Sequence, residues 1–295
     1  MNSINITGDS RYISAGLSDS SVRIWDLKKE DDTYTSLIGH SGPVYSTSFS
    51  PCRKFLLSAS EDASVRLWNL DMATNVVKYR GHSHPVWDVQ FAPIGYYFAT
   101  CSHDKTARIY STDNVNPLRV LAGHLSDVDC IKFHPNCNYV ATGSNDKTVR
   151  LWEIHSGECV RIFPGHYGPV YSLAVSPDGK TLASGGDDNK IFLWDIASGK
   201  KISVLQGHTK TVWALDFSKE GSLLASGSSD CTLKIWDVSA AQNQASTAQK
   251  SSNEAIGASH NLLDTFHTKK TSIFYLSFTM RNLLLAAGCF SSGPK

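Results

Sequence analysis

The residues in this chain that could do chemistry recur at a fixed interval. Histidine follows glycine at His40, His82, His124, His166 and His208, each 42 residues after the last. An aspartate keeps nearly the same step, at Asp19, Asp62, Asp104, Asp146, Asp188 and Asp230. Histidine and carboxylate side chains can bind metal ions or act in general acid–base catalysis. One histidine per unit at equal spacing cannot converge on one ion, so the pattern indicates a structural role.

An aromatic–polar pair closes each unit in phase with these markers. The pairs are Trp25-Asp26, Trp68-Asn69, Tyr110-Ser111, Trp152-Glu153, Trp194-Asp195 and Trp236-Asp237. Self-similarity at this period, with Gly-His opening and Trp-Asp closing each unit, is typical of WD-repeat β-propellers. The sequence therefore predicts an all-β fold, a seven-bladed WD40 β-propeller whose last blade is incomplete.

The unit from 165 to 207 contains the elements that must position these markers. Apolar strands are predicted at 170–175, 181–185, 191–194 and 202–205. Turn residues separate them, as in Ser176-Pro177-Asp178-Gly179, where proline presets φ and glycine supplies the left-handed position. Four β-branched and aromatic runs of this length predict one four-stranded antiparallel sheet. Such a sheet buries both faces only when it stacks against neighbouring sheets.

The whole chain, 1–295, is expected to form one propeller domain. The predicted blades are 2–38, 43–79, 85–121, 127–163, 169–205, 211–266 and 272–295. Residues 239–260 are rich in Ala, Gln, Ser and Asn and are predicted to be a flexible insertion within blade six. The first unit lacks a leading Gly-His, and the last stops before full third and fourth strands. We therefore expect a truncated product or an isoform of a longer protein, which leaves ring closure and activity open.

The marker residues of one WD repeat have a joint role in the family's pattern. There a histidine, a Ser or Thr, the aspartate and the tryptophan join in a buried hydrogen-bond chain, in which each bond contributes ~1 kcal/mol. On this resemblance the structural network comprises His40, Ser58, Asp62 and Trp68; His82, Thr100 and Asp104, with Tyr110 in the tryptophan place; His124, Thr142, Asp146 and Trp152; His166, Ser184, Asp188 and Trp194; and His208, Ser226, Asp230 and Trp236.

The composition argues against several other classes of protein. Lys and Arg number 28 and Asp and Glu 27, so the net charge is +1 and no direct binding of nucleic acid or membrane is expected. No apolar run approaches the ~18 residues of a membrane span. The seven cysteines form no Cys-x-x-Cys pair, so neither a disulfide framework nor a zinc site is indicated. A reducing compartment fits this cysteine usage.

The chain carries no pattern typical of an enzyme. Gly179-Lys180-Thr181 resembles the end of a phosphate loop, but Ala174 stands where that motif needs glycine. Asp187-Asp188 is a carboxylate pair, but Asp188 is assigned to the blade turn. No constellation meets the requirements of a catalytic site, so we expect no enzymatic activity, no metal and no cofactor.

One set of positions is predicted to have a role beyond stabilising the fold. By the geometry of the family, the residue after the first-strand valine lies near the entrance of the central channel. These rim residues are Tyr45, Trp87, Asp129, Tyr171 and Trp213, with Phe274 in the last blade; His103 and Asp187, before their turn aspartates, lie on the same face. Tyr and Trp dominate interface hot spots, so the rim is a candidate protein-interaction surface. The alternative is that these rings pack against neighbouring loops.

Longer stretches carry a narrower resemblance. They are Asp88-Val89-Gln90-Phe91, Gly95-Tyr96-Tyr97-Phe98-Ala99-Thr100, Pro117-Leu118-Arg119, Cys137-Asn138-Tyr139-Val140-Ala141-Thr142 and Arg281-Asn282-Leu283-Leu284-Leu285-Ala286-Ala287-Gly288. In these stretches and their order the chain, from about Ser10 to Phe290, resembles the C-terminal WD-repeat domain of the fifth TBP-associated factor family. Members of that family are subunits of TFIID and of SAGA-type coactivators.

This resemblance implies a scaffold of the general RNA polymerase II machinery. It implies a nuclear protein whose partners are histone-fold TBP-associated factors and other subunits of the complex, and it leaves open whether that complex is TFIID or SAGA-type. The alternatives are a WD adaptor of another complex, such as a ubiquitin-ligase receptor or a splicing scaffold, and an enzyme or ligand-binding propeller.

Overall fold

A computed structural model of the chain describes residues 2–29, 33–239 and 261–290. Apart from its first residue, the predicted insertion at 239–260 lies outside these residues. The strands are β1 Ser3–Ile6, β2 Tyr12–Gly16, β3 Ser21–Asp26, β4 Tyr34–Ile38, β5 Val44–Phe49, β6 Phe55–Ser60, β7 Ser64–Asn69, β8 Thr74–Arg80, β9 Val86–Phe91, β10 Tyr97–Ser102, β11 Thr106–Ser111, β12 Arg119–Ala122, β13 Val128–Phe133, β14 Tyr139–Ser144, β15 Thr148–Glu153, β16 Cys159–Pro164, β17 Val170–Val175, β18 Thr181–Gly186, β19 Lys190–Asp195, β20 Lys201–Gln206, β21 Val212–Phe217, β22 Leu223–Ser228, β23 Thr232–Asp237, β24 Leu262–His267, β25 Thr271–Phe278 and β26 Leu284–Phe290.

Within the described ranges these strands form seven sheets. Six sheets have four strands each, in sequence order from β1–β4 to β21–β24, and the last consists of β25 and β26. Consecutive strands pair antiparallel, for example β17 with β18 and β18 with β19. The predicted all-β class is confirmed by this organisation, and sheets of four antiparallel strands are those expected of a WD40 propeller.

The chain divides into two compact units. The first extends to Asp146 and includes Arg150–Val160; the second comprises Lys147–Val149 and the chain from Arg161 onward. In the first unit the opening strands of successive sheets, β1, β5, β9 and β13, contact one another in that order. In the second unit β17, β21 and β25 do the same. Each unit therefore presents a row of opening strands.

Stacking of sheets buries almost all of the second strand in the five sheets from β5–β8 to β21–β24. Every residue of β18 is buried, and so is all of β6 except its first residue. Small side chains allow neighbouring sheets to approach: a Cβ added to Gly185 on β18 would lie 2.8 Å from Cγ1 of Val212 on the next sheet. Glycine at this position therefore permits close packing, which a larger residue would disturb.

Aspartate carboxylates link the opening strands of neighbouring sheets. Asp88 on β9 accepts a hydrogen bond from Ser46 Oγ on β5 at 2.7 Å and from the Ile131 amide on β13 at 3.1 Å. Burial raises the pKa of Asp88 despite these donors. In the second unit, Asp216 on β21 accepts from the Phe278 amide on β25 at 2.7 Å. These aspartates hold adjacent blades in register.

Each marker aspartate stabilises a tight turn between the second and third strands. The residue after it has a left-handed backbone: Ser20 (φ 68°), Ala63 (58°), Lys105 (66°), Lys147 (68°), Asn189 (62°) and Cys231 (62°). Non-glycine residues enter this region at a steric cost. The carboxylate offsets it, since Asp62 Oδ1 accepts from the Ser64 amide at 3.0 Å and from its hydroxyl at 2.6 Å. Equivalent bonds to the amide two residues on occur at Asp19, Asp104, Asp188 and Asp230.

The second carboxylate oxygen of five of these aspartates meets a buried histidine. The Nδ1–Oδ2 distances are 3.1 Å for His40–Asp62, 2.7 Å for His82–Asp104, 2.7 Å for His124–Asp146, 2.9 Å for His166–Asp188 and 2.9 Å for His208–Asp230. Each Nε2 lies 2.7–2.8 Å from a hydroxyl, that of Ser58, Thr100, Thr142, Ser184 or Ser226. In four sheets a tryptophan Nε1 donates to the same hydroxyl at 2.8 Å, from Trp68, Trp152, Trp194 and Trp236. A neutral imidazole with its proton on Nδ1 satisfies all of these groups.

The third sheet fills the tryptophan place differently. Tyr110 stacks on Phe98, with ring centroids 5.1 Å apart and planes 6° apart, and meets Tyr79 edge-on at 5.7 Å. All three rings are at most 2% exposed. Stacked and edge-on aromatic pairs of this kind stabilise a core beyond their buried area. The third sheet therefore has packed aromatic rings where the four sheets named above have an indole bonded to the hydroxyl.

The pKa shifts fit neutral histidines facing charged aspartates. Burial raises the pKa of Asp104, but hydrogen bonds from His82 and Thr106 outweigh burial and hold it well below its usual range. Burial lowers the pKa of His82 and of His208, although their aspartates oppose this. A lowered histidine pKa and a lowered aspartate pKa both contribute stability that is lost as pH falls. The network is therefore most stabilising at neutral pH and above.

We expect Asp146→Ala to destabilise the fold by ~2–4 kcal/mol, because it leaves buried donors without an acceptor. Asp146 is 5% exposed and accepts from His124 Nδ1 and from the Leu125 amide. Asp19→Ala should cost less than ~1 kcal/mol, because Asp19 is 55% exposed. Its repeat also has Ala15 at the position where the other repeats have a serine or threonine hydroxyl. Urea unfolding at pH 7 measures both free energies. Equal losses for the two variants would refute this ranking.

Candidate protein-interaction site

The predicted rim residues share one irregular backbone position. In six sheets the pairing between first and second strands skips a single residue of the first strand. The skipped residues are Tyr45, Trp87, Asp129, Tyr171, Trp213 and Phe274. A β-bulge leaves its extra residue unpaired and can re-aim that residue's side chain. Each of these six sheets thus has one side chain that departs from the regular alternation of side chains between its two faces.

The residue before each bulge has the opposite role. Val44, Val86, Val128, Val170, Val212 and Ile273 are all at most 2% exposed. The bulge residues are only partly buried, and Phe274 is 42% exposed. An aliphatic side chain therefore fixes each opening strand in the core, and its neighbour stays accessible.

In the first unit the bulge residues gather a set that we call the Trp87 group: Tyr45, Trp87, His103, Asp127 and Asp129. The Tyr45 and Trp87 rings lie 4.9 Å apart with planes inclined by 49°. His103 meets the Trp87 ring edge-on at 6.3 Å, and its Nδ1 lies 2.6 Å from Asp127 Oδ2. Two aromatic faces therefore adjoin charged groups at the start of β9 and β13.

Asp129 has the least favourable environment of this group. Its Oδ2 is buried and has no hydrogen-bond partner among the described residues. Burial is the main cause that raises the pKa of Asp129 to about 7, and the charges of Asp127 and Asp146 act in the same direction, against His103. The Trp87 Nε1 is also buried without a described partner. A buried acceptor and a buried donor are thus both unsatisfied here.

The second unit holds a more apolar set, the Trp213 group: Tyr171, Trp213, Phe274, Asp187 and Ser229. Tyr171 stacks on Trp213 at 4.6 Å with planes 20° apart, and Phe274 meets Trp213 edge-on at 6.0 Å. The Trp213 Nε1 donates to Ser229 Oγ at 2.6 Å. Three rings in a row form a continuous aromatic face whose one indole donor is satisfied.

The partners of His103 and Asp187 were not predicted from the sequence. His103 pairs with Asp127, and Asp187 accepts from Thr211 Oγ1 at 2.7 Å. In both cases the residue before a turn aspartate contacts the residue 24 positions later, just before the next opening strand. This spacing of 24 residues could have identified both pairs from the sequence, because it is fixed by the positions of the two residues within the repeat. His84, whose ring lies 5.5 Å from His103, was also missed.

Two expected absences can be examined in the described ranges. No group of three or more His, Cys, Asp or Glu side chains there has the geometry to hold a metal ion. No helix in the same ranges is long and apolar enough to cross a membrane.

A family model described as WD domain, G-beta repeat matches residues 1–26, 32–69, 73–111, 115–153, 157–195 and 199–237. These segments cover most of the sequence, and each ends on the aromatic–polar pair that closes a unit. The chain belongs to the WD-repeat family. The hydrogen-bond chains and four-stranded sheets described above are thus those of WD repeats.

This WD-repeat chain is similar to subunits of transcription complexes. It is 45% identical over 91 residues to the SAGA complex/transcription factor TFIID complex subunit Taf5 of Schizosaccharomyces pombe, across 27% of this chain and 14% of the relative. It is 50% identical over 103 residues to transcription initiation factor TFIID subunit 5 of Arabidopsis thaliana (27% and 15%), and 44% over 105 residues to that of Drosophila melanogaster (25% and 15%). The resemblance to the fifth TBP-associated factor is confirmed over these segments. The matched part amounts to 14–15% of the length of these relatives.

We expect Asp129→Asn in this WD-repeat protein to stabilise the fold more at pH 8 than at pH 5. The pKa of Asp129 rises on folding from 3.8 to about 7, so its protonated form favours the fold and this stability is lost as pH rises through about 7. Asparagine carries no charge and removes the loss, which gives a difference between the two pH values on the order of 1–3 kcal/mol.

Urea unfolding at both pH values tests this expectation. Asp187→Asn is the matched control, because Asp187 is exposed and bonded to Thr211. A gain from Asp129→Asn that is equal at pH 5 and pH 8 would contradict the assignment of a protonated, buried carboxyl.

Proposed function

We propose that this chain is a non-enzymatic interaction scaffold, the WD-repeat part of a subunit of TFIID or of a SAGA-type coactivator. In this role it supports complex assembly and transcription initiation in the nucleus. The observation that carries the proposal is the 45–50% identity to relatives named as such subunits. WD-repeat sheets supply a rigid frame, and the function of such a frame resides in the residues on its surface.

The Trp87 group and the Trp213 group are the proposed contact surfaces. Histone-fold TBP-associated factors and other subunits of the complex are the proposed partners. Each group combines a tyrosine and a tryptophan, which are enriched in interface hot spots and bring large contact area at low cost in conformational entropy. Their position at bulges of buried strands supports the proposal, since a rigid backbone presents the rings before a partner arrives.

The absence of catalysis is part of the same proposal. Both ring nitrogens of each repeat histidine, such as His40 and His124, are engaged within the buried chain. A histidine bound in this way cannot reach a substrate proton. The net charge of +1 supports contact through aromatic and local polar groups rather than direct binding to nucleic acid, which depends on excess positive charge.

Trp87→Ala and Trp213→Ala should each weaken recovery of histone-fold TBP-associated factors with little change in melting temperature. Truncation of an aromatic anchor typically costs ~2 kcal/mol or more in binding. The measurement is affinity purification of the tagged chain from nuclear extract, quantified by mass spectrometry, beside thermal melting of each purified variant.

Tyr96→Ala is the matched aromatic control. Tyr96 is 68% exposed and lies in the turn after β9, whereas Trp87 lies near the start of that strand. We expect this variant to retain both its partners and its melting temperature. A sharp fall in melting for the tryptophan variants would assign the rings to the core. Unchanged recovery of partners would place the contact surface elsewhere.

A further inference from the structure

The two bulge tryptophans allow an internal comparison. Trp87 and Trp213 each occupy the bulge of an opening strand, and each packs on a tyrosine from the bulge of the preceding sheet, Tyr45 or Tyr171. The two sites diverge on their other side. The bulge of the following sheet carries Phe274 beside Trp213, whereas it carries Asp129 after Trp87. A carboxylate therefore replaces the third aromatic ring.

The indole donor also differs between the two sites. Trp213 Nε1 donates to Ser229 Oγ, which lies 16 residues later in the chain. The residue 16 positions after Trp87 is His103, whose Nδ1 turns to Asp127 at 2.6 Å. The Trp87 Nε1 has no partner in the part of the chain that the structure describes. One indole donor is therefore satisfied within the chain, whereas the other is buried and unsatisfied.

Negative charge lies on both sides of the Tyr45–Trp87 pair. Glu61 is close enough to raise the pKa of Tyr45, an effect that adds to that of burial. On the other side, Asp129 Oδ2 is buried without a described partner, and the neighbouring Asp127 and Asp146 are acidic as well. His103 acts on Asp129 in the opposite direction, and it is already bonded to Asp127. An added cation would offset the cost of keeping Asp129 charged.

We propose that Tyr45, Trp87 and Asp129 form a binding site for the guanidinium group of an arginine on a partner polypeptide. A planar guanidinium stacks on the inclined aromatic faces and donates a hydrogen bond to the Asp129 carboxylate. A phosphate-bearing ligand is disfavoured by the four carboxylates named above. The Trp213 group has Phe274 in place of this bulge carboxylate and binds apolar side chains instead.

This inference deepens the proposed scaffold function for one group, and its test needs only the purified chain. The probe is the peptide acetyl-Gly-Arg-Gly-amide, with citrulline and lysine in place of arginine as comparison peptides. Citrulline keeps the shape of arginine but has no charge. The readout is the pair of indole nitrogen–proton signals of Trp87 and Trp213 in two-dimensional NMR at pH 8, assigned with Trp87→Phe and Trp213→Phe.

We expect the arginine peptide to shift the Trp87 signal in a saturable way at millimolar concentration and to leave the Trp213 signal in place. The citrulline peptide should not saturate, and the lysine peptide should bind several-fold more weakly than arginine. Asp129→Asn should weaken arginine binding at least tenfold. Asp71→Asn, at an exposed residue of the turn after β7 that belongs to neither group, should leave it unchanged. The unperturbed Trp213 signal of each variant reports that it is folded.

Several results would overturn the site. They are equal saturation by citrulline and arginine, unchanged arginine binding in Asp129→Asn, and equal shifts of the two tryptophan signals. Lysine binding as tight as that of arginine would overturn the choice of guanidinium. Loss of histone-fold partners in Trp87→Ala with no arginine binding would refute this inference and leave the scaffold proposal in place.

Discussion

The fold depends on the marker aspartate of each repeat, whose carboxylate accepts hydrogen bonds both from a turn and from a histidine. In each complete repeat the marker aspartate stabilises a turn whose next residue has a left-handed backbone, and it also accepts from the histidine near the first strand. The turn alone would be strained and the histidine alone would be a buried, unpaired donor. Because one group meets both needs, the start of the sheet and its central turn are fixed together. The hydroxyl and the indole extend this constraint across the second and third strands.

Much of this architecture could be predicted from the sequence, because it repeats. A period of 42 residues and the alternation of apolar and turn residues predicted the strands of the blade from 165 to 207 to within about a residue. Position within the repeat also singled out Tyr45 and Trp87. What the sequence did not reveal is the cause of their exposure. A β-bulge arises from a mismatch between two paired strands, and neither strand alone carries a residue pattern that demands it.

Polar contacts between blades were equally hard to predict. Asp88 has the sequence pattern of an ordinary polar residue beside Trp87, yet its carboxylate bridges β5 and β13, and burial raises its pKa. Such a bond joins residues 42 or 43 positions apart. Because the residue types at these positions vary from blade to blade, the repeat pattern does not reveal the bond. The same variation separates the Trp87 group from the Trp213 group. Periodicity specifies the shared frame, whereas single substitutions at matched positions specify the chemistry of each surface.

The hydrogen bonds between buried hydroxyls and indoles have a consequence for the intrinsic tryptophan fluorescence of this protein. Trp68, Trp152, Trp194 and Trp236 are at most 2% exposed, and each indole is hydrogen-bonded to a serine or threonine. Their fluorescence arises in a dry, rigid setting that a dissolved quencher such as iodide cannot reach. Trp87 and Trp213 are only partly buried. The emission of the four buried indoles therefore reports the integrity of the blades, whereas that of Trp87 and Trp213 responds to changes at the bulges.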